Sequence, residues 1–246
     1  MLYLPSISLS EADGVRCLHL ESPWIQGTMR IKEPFAIELE YVQRMMAWLL
    51  FMSPSTVKDR VAMQLGLGAA AITKSCYKTL GMKTVAIEIN PQVVAACRQW
   101  FKLPPDNTRL AVVLADAAKT IQETRWQGMI DALAVDLYDH EAAAPVLDSA
   151  AFYADCRSLL SDEGAMAVNL FGRSHSYEKS LEKIQSVFGS HKVWAFKPTR
   201  EGNTVVLAFR SSPSYDREVM TQRAQVIETR WHLPAGKWLK ILKPLQ

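Results

Sequence analysis

Cysteine is sparse and scattered. The four residues, Cys17, Cys76, Cys97 and Cys156, form no CxxC pair and sit beside no histidine cluster. That excludes a zinc site encoded by spacing and a small disulfide scaffold, and fits a reducing, cytoplasmic setting. Long hydrophobic runs are also missing. The greasiest stretch, MMAWLLFM at 45–52, falls far short of the about 20 apolar residues that a membrane-spanning helix needs. The opening MLYLPSISLSEADG lacks the basic region and apolar run of a signal peptide. A soluble intracellular protein without a membrane partner is expected.

Charge of one sign is lacking too. The formal net charge is +3, and residues 211–246, with six Lys/Arg against three Asp/Glu, account for that whole excess. A nucleic-acid groove would interleave basic residues with exposed aromatics. The tail, which carries Trp231 and Trp238, reads instead as helix packed on its own domain, so no nucleic-acid partner is expected. No internal repeat, low-complexity run or long linker is present.

What the chain does have is a core: 246 residues with 49% hydrophobic content need no metal or disulfide staple. From about residue 61 short β-rich runs alternate with helical segments. VAMQL (61–65), TVAIE (84–88), LAVVLA (110–115), IDALAVD (130–136) and AMAVNL (165–170) read as buried strands. Segments 69–80, 91–102, 117–126 and 149–160 carry helical spacing, with Asn90 and Pro91 marking one start. This alternation predicts βαβ units and a parallel sheet covered on both faces. KVWAF (192–196) and NTVVLAF (203–209) predict a closing antiparallel hairpin, the arrangement of many S-adenosylmethionine-dependent enzymes. VRCLHL (15–20) and TMRI (28–31) suggest a small β-unit, and 36–52 an amphipathic entry helix. The expected division is a β-unit with entry helix over 1–52, a Rossmann-like catalytic domain over 53–210, and a helical extension over 211–246 with its helix near 214–230.

The loop LGLGAAAIT (65–73) joins the first strand of that domain to a helix. Gly66 and Gly68 permit a tight turn and close approach of a ligand to helix N–H groups; a tight turn with no ligand fits the same residues. Glu88 ends the second strand, 22 residues after Gly66. It suits the ribose hydroxyls of an adenosine, or equally the N-terminus of the next helix. Asp116, followed by Ala117, ends the third strand. An acid there can accept from an adenine amino group, cap its helix, or do both. Together these features favour adenosine binding over a bare turn.

AVDLYDHEAAAP (134–145) then delivers Asp136 to the end of the fourth strand, in the crevice where doubly wound sheets bind ligands. Asp139 faces the same crevice if the loop turns back, or else solvates it. A divalent cation would want more oxygen ligands than this set supplies, so no metal is expected. Two carboxylates without metal suit a cationic amine, one anchoring it and one taking its proton. His140 and Glu141 read as loop residues.

These residues resemble the spermidine and spermine synthases, the polyamine aminopropyltransferases. TVAIEINPQVVAACRQWF (84–101) resembles their ribose-binding strand, DALAVDLYD (131–139) their Asp-x-x-Asp catalytic segment, and AAFYADCRSLLSDEGAMAV (150–168) their Phe-Tyr-x-x-Cys helix and Gly turn. The similarity spans roughly residues 15–210. It implies a Rossmann-like sheet with a small N-terminal β-unit, assembly as homodimers or tetramers, and an aminopropyl donor, decarboxylated S-adenosylmethionine. By that resemblance Glu88 holds the ribose, Asp116 the adenine, Asp136 the attacking amine and Asp139 the polyamine, while Tyr41 lines the substrate site.

The chain also departs from the family. Its glycine loop, GLGAAA, lacks the family's acid. YVQRM puts Arg44 where an acid would help bind a polyamine, and the proline-glycine gate has become EAAAP. Each change removes negative charge or loop freedom. Methyl transfer from S-adenosylmethionine is therefore the rival reading on the same fold. A non-catalytic adenosine-binding module is the second rival. A nicotinamide oxidoreductase leaves Asp116 and the hairpin without a role.

Overall fold

A computed structural model describes residues 4–137, 147–171 and 175–245. Strands β1 (Ile7–Ala12), β2 (Val15–Leu20) and β3 (Gly27–Arg30) form a three-stranded antiparallel sheet. β1 escapes the sequence pattern because its ISLSEA is largely exposed. The chain then enters α1 (Glu40–Met45) and a tight helical turn, Ala47–Phe51, in place of the long amphipathic helix expected over 36–52. Met45, Met46, Ala47, Leu49 and Leu50 are wholly buried. From Met45 to Leu50 every side chain is buried, so this part packs as a plug against the main sheet.

That sheet contains eight strands among the described residues. β4 (Val61–Leu65), β5 (Lys83–Glu88), β6 (Leu110–Leu114), β7 (Ile130–Val135) and β8 (Leu160–Phe171) pair in parallel in the order β8-β7-β4-β5-β6. β9 (Val193–Ala195) and β10 (Asn203–Phe209) form the closing hairpin, with β10 antiparallel to β8. The chain returns at its end as a short edge strand, β11 (Lys243–Pro244), on β9, so the expected seven strands become eight.

Helices cover both faces. α2 (Ala71–Lys74) passes into a wider turn over Ser75–Thr79, and α3 (Pro91–Trp100) starts at Asn90, whose side chain accepts from Gln92 N at 2.9 Å. α4 is only Ala117–Thr120, much shorter than the 117–126 expected, and α5 runs Ala150–Leu159. A helix not foreseen, α6 (His175–Phe188), follows; Leu181, Ile184 and Phe188 turn one stripe of it to the core. α7 (Arg217–Trp231) and α8 (Ala235–Ile241) bury Ile227, Trp231 and Trp238 against the entry segment. Such burial contributes about 1.5–3 kcal/mol for each large side chain.

Candidate active site

A cavity of about 660 Å³ opens beyond the carboxyl ends of the parallel strands, between the main sheet and the N-terminal sheet. The loop after β4 forms its floor. Gly66 and Gly68 adopt φ of +83° and +51°. A Cβ on Gly66 would lie 2.3 Å from the carbonyl oxygen of Asp136, and one on Gly68 2.9 Å from that of Gln26. Only glycine fits either position without displacing backbone. Gln64, buried near the end of β4, braces the loop. Its Nε2 donates to Gly66 O at 2.7 Å, and its Oε1 accepts from Thr73 N at 3.0 Å and Thr73 Oγ1 at 2.6 Å. A glutamine inside the otherwise apolar run VAMQL was the sequence signal for this brace.

Glu88 lies at the end of β5, its oxygens accepting from Leu67 N at 2.9 Å and Asn90 N at 2.8 Å. Burial pushes its carboxyl pKa up, and these backbone bonds partly offset the rise. Asp116 caps α4, accepting from Ala118 N at 2.9 Å. Glu88, Asp116 and Ala117 line the cavity beside Ile87, Ile89 and Leu18.

Asp136 continues the β7 ladder by one residue, its N–H donating to Leu65 O at 3.0 Å. Its side chain is held from two sides: Asn169 Nδ2 donates to Oδ1 at 2.9 Å and Tyr41 Oη to Oδ2 at 3.3 Å. Asn203 Nδ2 in turn donates to Asn169 Oδ1 at 3.1 Å. Desolvation by the surrounding protein raises the Asp136 pKa, and the bonds from Asn169 and Tyr41 oppose that rise. Asp139, with Tyr138, His140 and Glu141, lies outside the described residues.

The structure thus brings Tyr41, Gly66, Gly68, Glu88, Asp116, Ala117 and Asp136 to one cavity. It adds residues that sequence reasoning missed. Glu38, Glu40 and Glu201 also line it, so six carboxylates face the space, and no Lys or Arg does so among the described residues. The negative charge absent from the glycine loop is supplied from other elements. Arg44 does not enter the cavity. It is buried, donating to Lys197 O and to Glu40 Oε1, each at 2.6 Å. Glu38 is paired with Arg30 on β3. Among the described residues no group of three or more His, Cys, Asp or Glu is placed to hold a metal ion, and no helix is long and apolar enough to cross a membrane.

No family model matches the chain. Over 242 residues it is 32% identical to the polyamine aminopropyltransferase of Chromobacterium violaceum, covering 98% of this chain and 90% of that protein. Among solved structures, a probable spermidine synthase from Corynebacterium glutamicum matches with a TM-score of 0.70 at 16% identity, over 89% of this chain and 83% of that one. Human methyltransferase-like protein 13, in complex with SAH, matches with a TM-score of 0.70 at 19% identity, over 79% and 93%. At these identities the two structures establish the shared fold, a mostly parallel sheet of the methyltransferase type.

Proposed function

The chain belongs to the polyamine aminopropyltransferase family, and from that premise we propose that its cavity moves an aminopropyl group from decarboxylated S-adenosylmethionine to an amine, with Asp136 as the base. The charge of the cavity carries this reading: six carboxylates line it, of which Glu38 and Glu40 are paired with Arg30 and Arg44 and the other four have no arginine or lysine beside them among the described lining residues. Both reactants are cations, one a sulfonium with an ammonium group and the other an amine. The pyrophosphate of a nicotinamide cofactor, or the carboxylate of intact S-adenosylmethionine, would meet like charge there. Methyl transfer is accordingly not favoured.

In this proposal Glu88 receives the ribose hydroxyls. Its carboxylate accepts backbone N–H bonds yet offers about four lone-pair sites in all, so capacity remains for the ligand. Asp116 uses one oxygen as a helix cap and turns the other to the adenine amino group, beside the N–H of Ala117 in the first turn of α4. Gly66 and Gly68 let the backbone approach the ligand. Tyr41 and Asp136 hold the acceptor nitrogen, and Asp139 keeps the polyamine-binding role that the family pattern implies.

The donor supplies an activated carbon on sulfur. As the acceptor nitrogen bonds to that carbon, the C–S bond breaks and its electron pair leaves with a neutral thioether. The proton released from nitrogen goes to Asp136. Burial strengthens Asp136 as a base by raising its pKa. The bonds from Asn169 and Tyr41 fix where its oxygens point, so much of the rate comes from positioning. A homodimeric, cytoplasmic enzyme completes the proposal; the free state of all four cysteines is in keeping with that compartment.

Calorimetry with decarboxylated S-adenosylmethionine, the intact form and NAD tests the donor assignment. The decarboxylated form is expected to bind tightest. Preference for the intact form would move the reading to methyl transfer, and binding of none of them would overturn the adenosine site.

A further inference from the structure

We propose, building on the aminopropyl-transfer reading, that Arg44 is a positioning residue that fixes Glu40 and the β9–β10 turn as the subsite for the acceptor's second ammonium group. Arg44 sits on α1, is itself buried, and is followed in the chain by the wholly buried Met45, Met46 and Ala47. A guanidinium in such surroundings costs stability unless fully partnered, and this one is not: its Nε is buried with no hydrogen-bond partner. A methionine would fill the space without that penalty. What the arginine gains is a connection. Nη2 donates to Glu40 Oε1 one turn back on α1, Nη1 to Lys197 O at the start of the turn, and the group stacks 5.3 Å from the ring centre of Phe196.

Both elements so joined place a carboxylate in the cavity, Glu40 from α1 and Glu201 from the turn. Their location follows from strand order. Glu88 and Asp116 end β5 and β6, on one side of β4; Asp136, Asn169 and Asn203 follow on β7, β8 and β10, on the other. Glu201 therefore belongs to the side remote from the adenosine acids, as does Glu40 through its link to Lys197. Strand spacing of about 4.8 Å puts β10 about 10 Å from β7. That interval takes a short alkyl chain with a nitrogen near Asp136 and an ammonium near Glu40 and Glu201, each at about 2.8 Å from its carboxylate.

The test compares a straight-chain diamine with the monoamine of equal chain length, in wild type, Arg44→Met, Glu40→Gln and the double variant, by methylthioadenosine release. Wild type is expected to prefer the diamine at least tenfold in kcat/KM. Each single variant is expected to lose most of that preference through KM for the diamine, and the double variant to lose no more than either single. Arg44→Met is expected to melt no lower than wild type. An unchanged diamine preference in the single variants, or equal losses on both amines with a lowered Tm, would overturn the proposal. Should Arg44→Met fail to fold, Glu40→Gln, altered at a largely exposed side chain, decides alone. Wild type releasing no methylthioadenosine with either amine would instead reject the function reading, and this subsite with it.

Discussion

Asn169 holds the carboxylate of Asp136 across adjacent strands, its Nδ2 donating to Oδ1 at 2.9 Å. Asn203 takes up the carbonyl end of the same amide at 3.1 Å, so the amide orientation is set by its neighbours. Asn169 therefore steadies the charged form of Asp136 against the burial that opposes it. Replacing it with leucine removes a donor and lifts the Asp136 pKa further. The acidic limb of the kcat/KM profile, where the base is lost to protonation, is expected to move to higher pH. A pH–rate series on Asn169→Leu checks this; an unmoved acidic limb contradicts Asp136 as the titrating base.

Asp136 should also weaken the fold it serves. Its folded pKa lies above the unfolded value, so the folded state binds more protons between those two values. Stability from this group is present below the ordinary carboxylate range and is lost as pH rises through the raised pKa. Above that raised pKa the wild type carries the loss in full. Asp136→Asn is expected to gain in melting temperature relative to wild type as pH rises through the raised pKa, with the gain shrinking as acid protonates the native carboxyl. Paired thermal melts across that range measure it.

Gly66 sets how closely the glycine loop approaches Asp136. An alanine there would place Cβ 2.3 Å from the Asp136 carbonyl at a φ of +83°. Strain of this kind costs about 1–3 kcal/mol, and the displaced backbone is that of the proposed base. Gly66→Ala is expected to lower both the denaturant midpoint and turnover. Gly68→Ala, which meets Gln26 in the N-terminal region, is expected to act mainly on donor binding.

Much of the fold was legible because its physics is local. The parallel strands read as apolar runs, four of them largely buried while β6, at the sheet edge, buries only Leu110 and exposes Leu114, and Asn90 with Pro91 announced a helix start. Strand ends then gave Gly66, Glu88, Asp116 and Asp136, since all parallel strands of one sheet deliver their carboxyl ends to one edge. Other features depended on contacts that no single stretch encodes. The 36–52 segment was expected to be amphipathic because its far side, facing α7 and α8, is not contiguous in sequence. Glu40 and Glu201 come from an entry helix and a distant turn, and reach one cavity only through the tertiary fold. Arg44 itself, read against a family pattern, suggested repulsion of a polyamine; its burial turns it into a support for the acids instead. The stripe of α6 at Leu181, Ile184 and Phe188 was present in the sequence and needed only a wider window.

The most direct test of the account is turnover by wild type and Asp136→Asn, with decarboxylated S-adenosylmethionine and an aliphatic diamine, reading methylthioadenosine and the aminopropylated amine together. Wild type is expected to form the two products in equal amounts. The variant is expected to lose about 10²–10⁴-fold in kcat, the range for removing a positioned general base, while still binding the donor. Turnover retained in Asp136→Asn, or methylated amine formed from intact S-adenosylmethionine by the wild type, would contradict it.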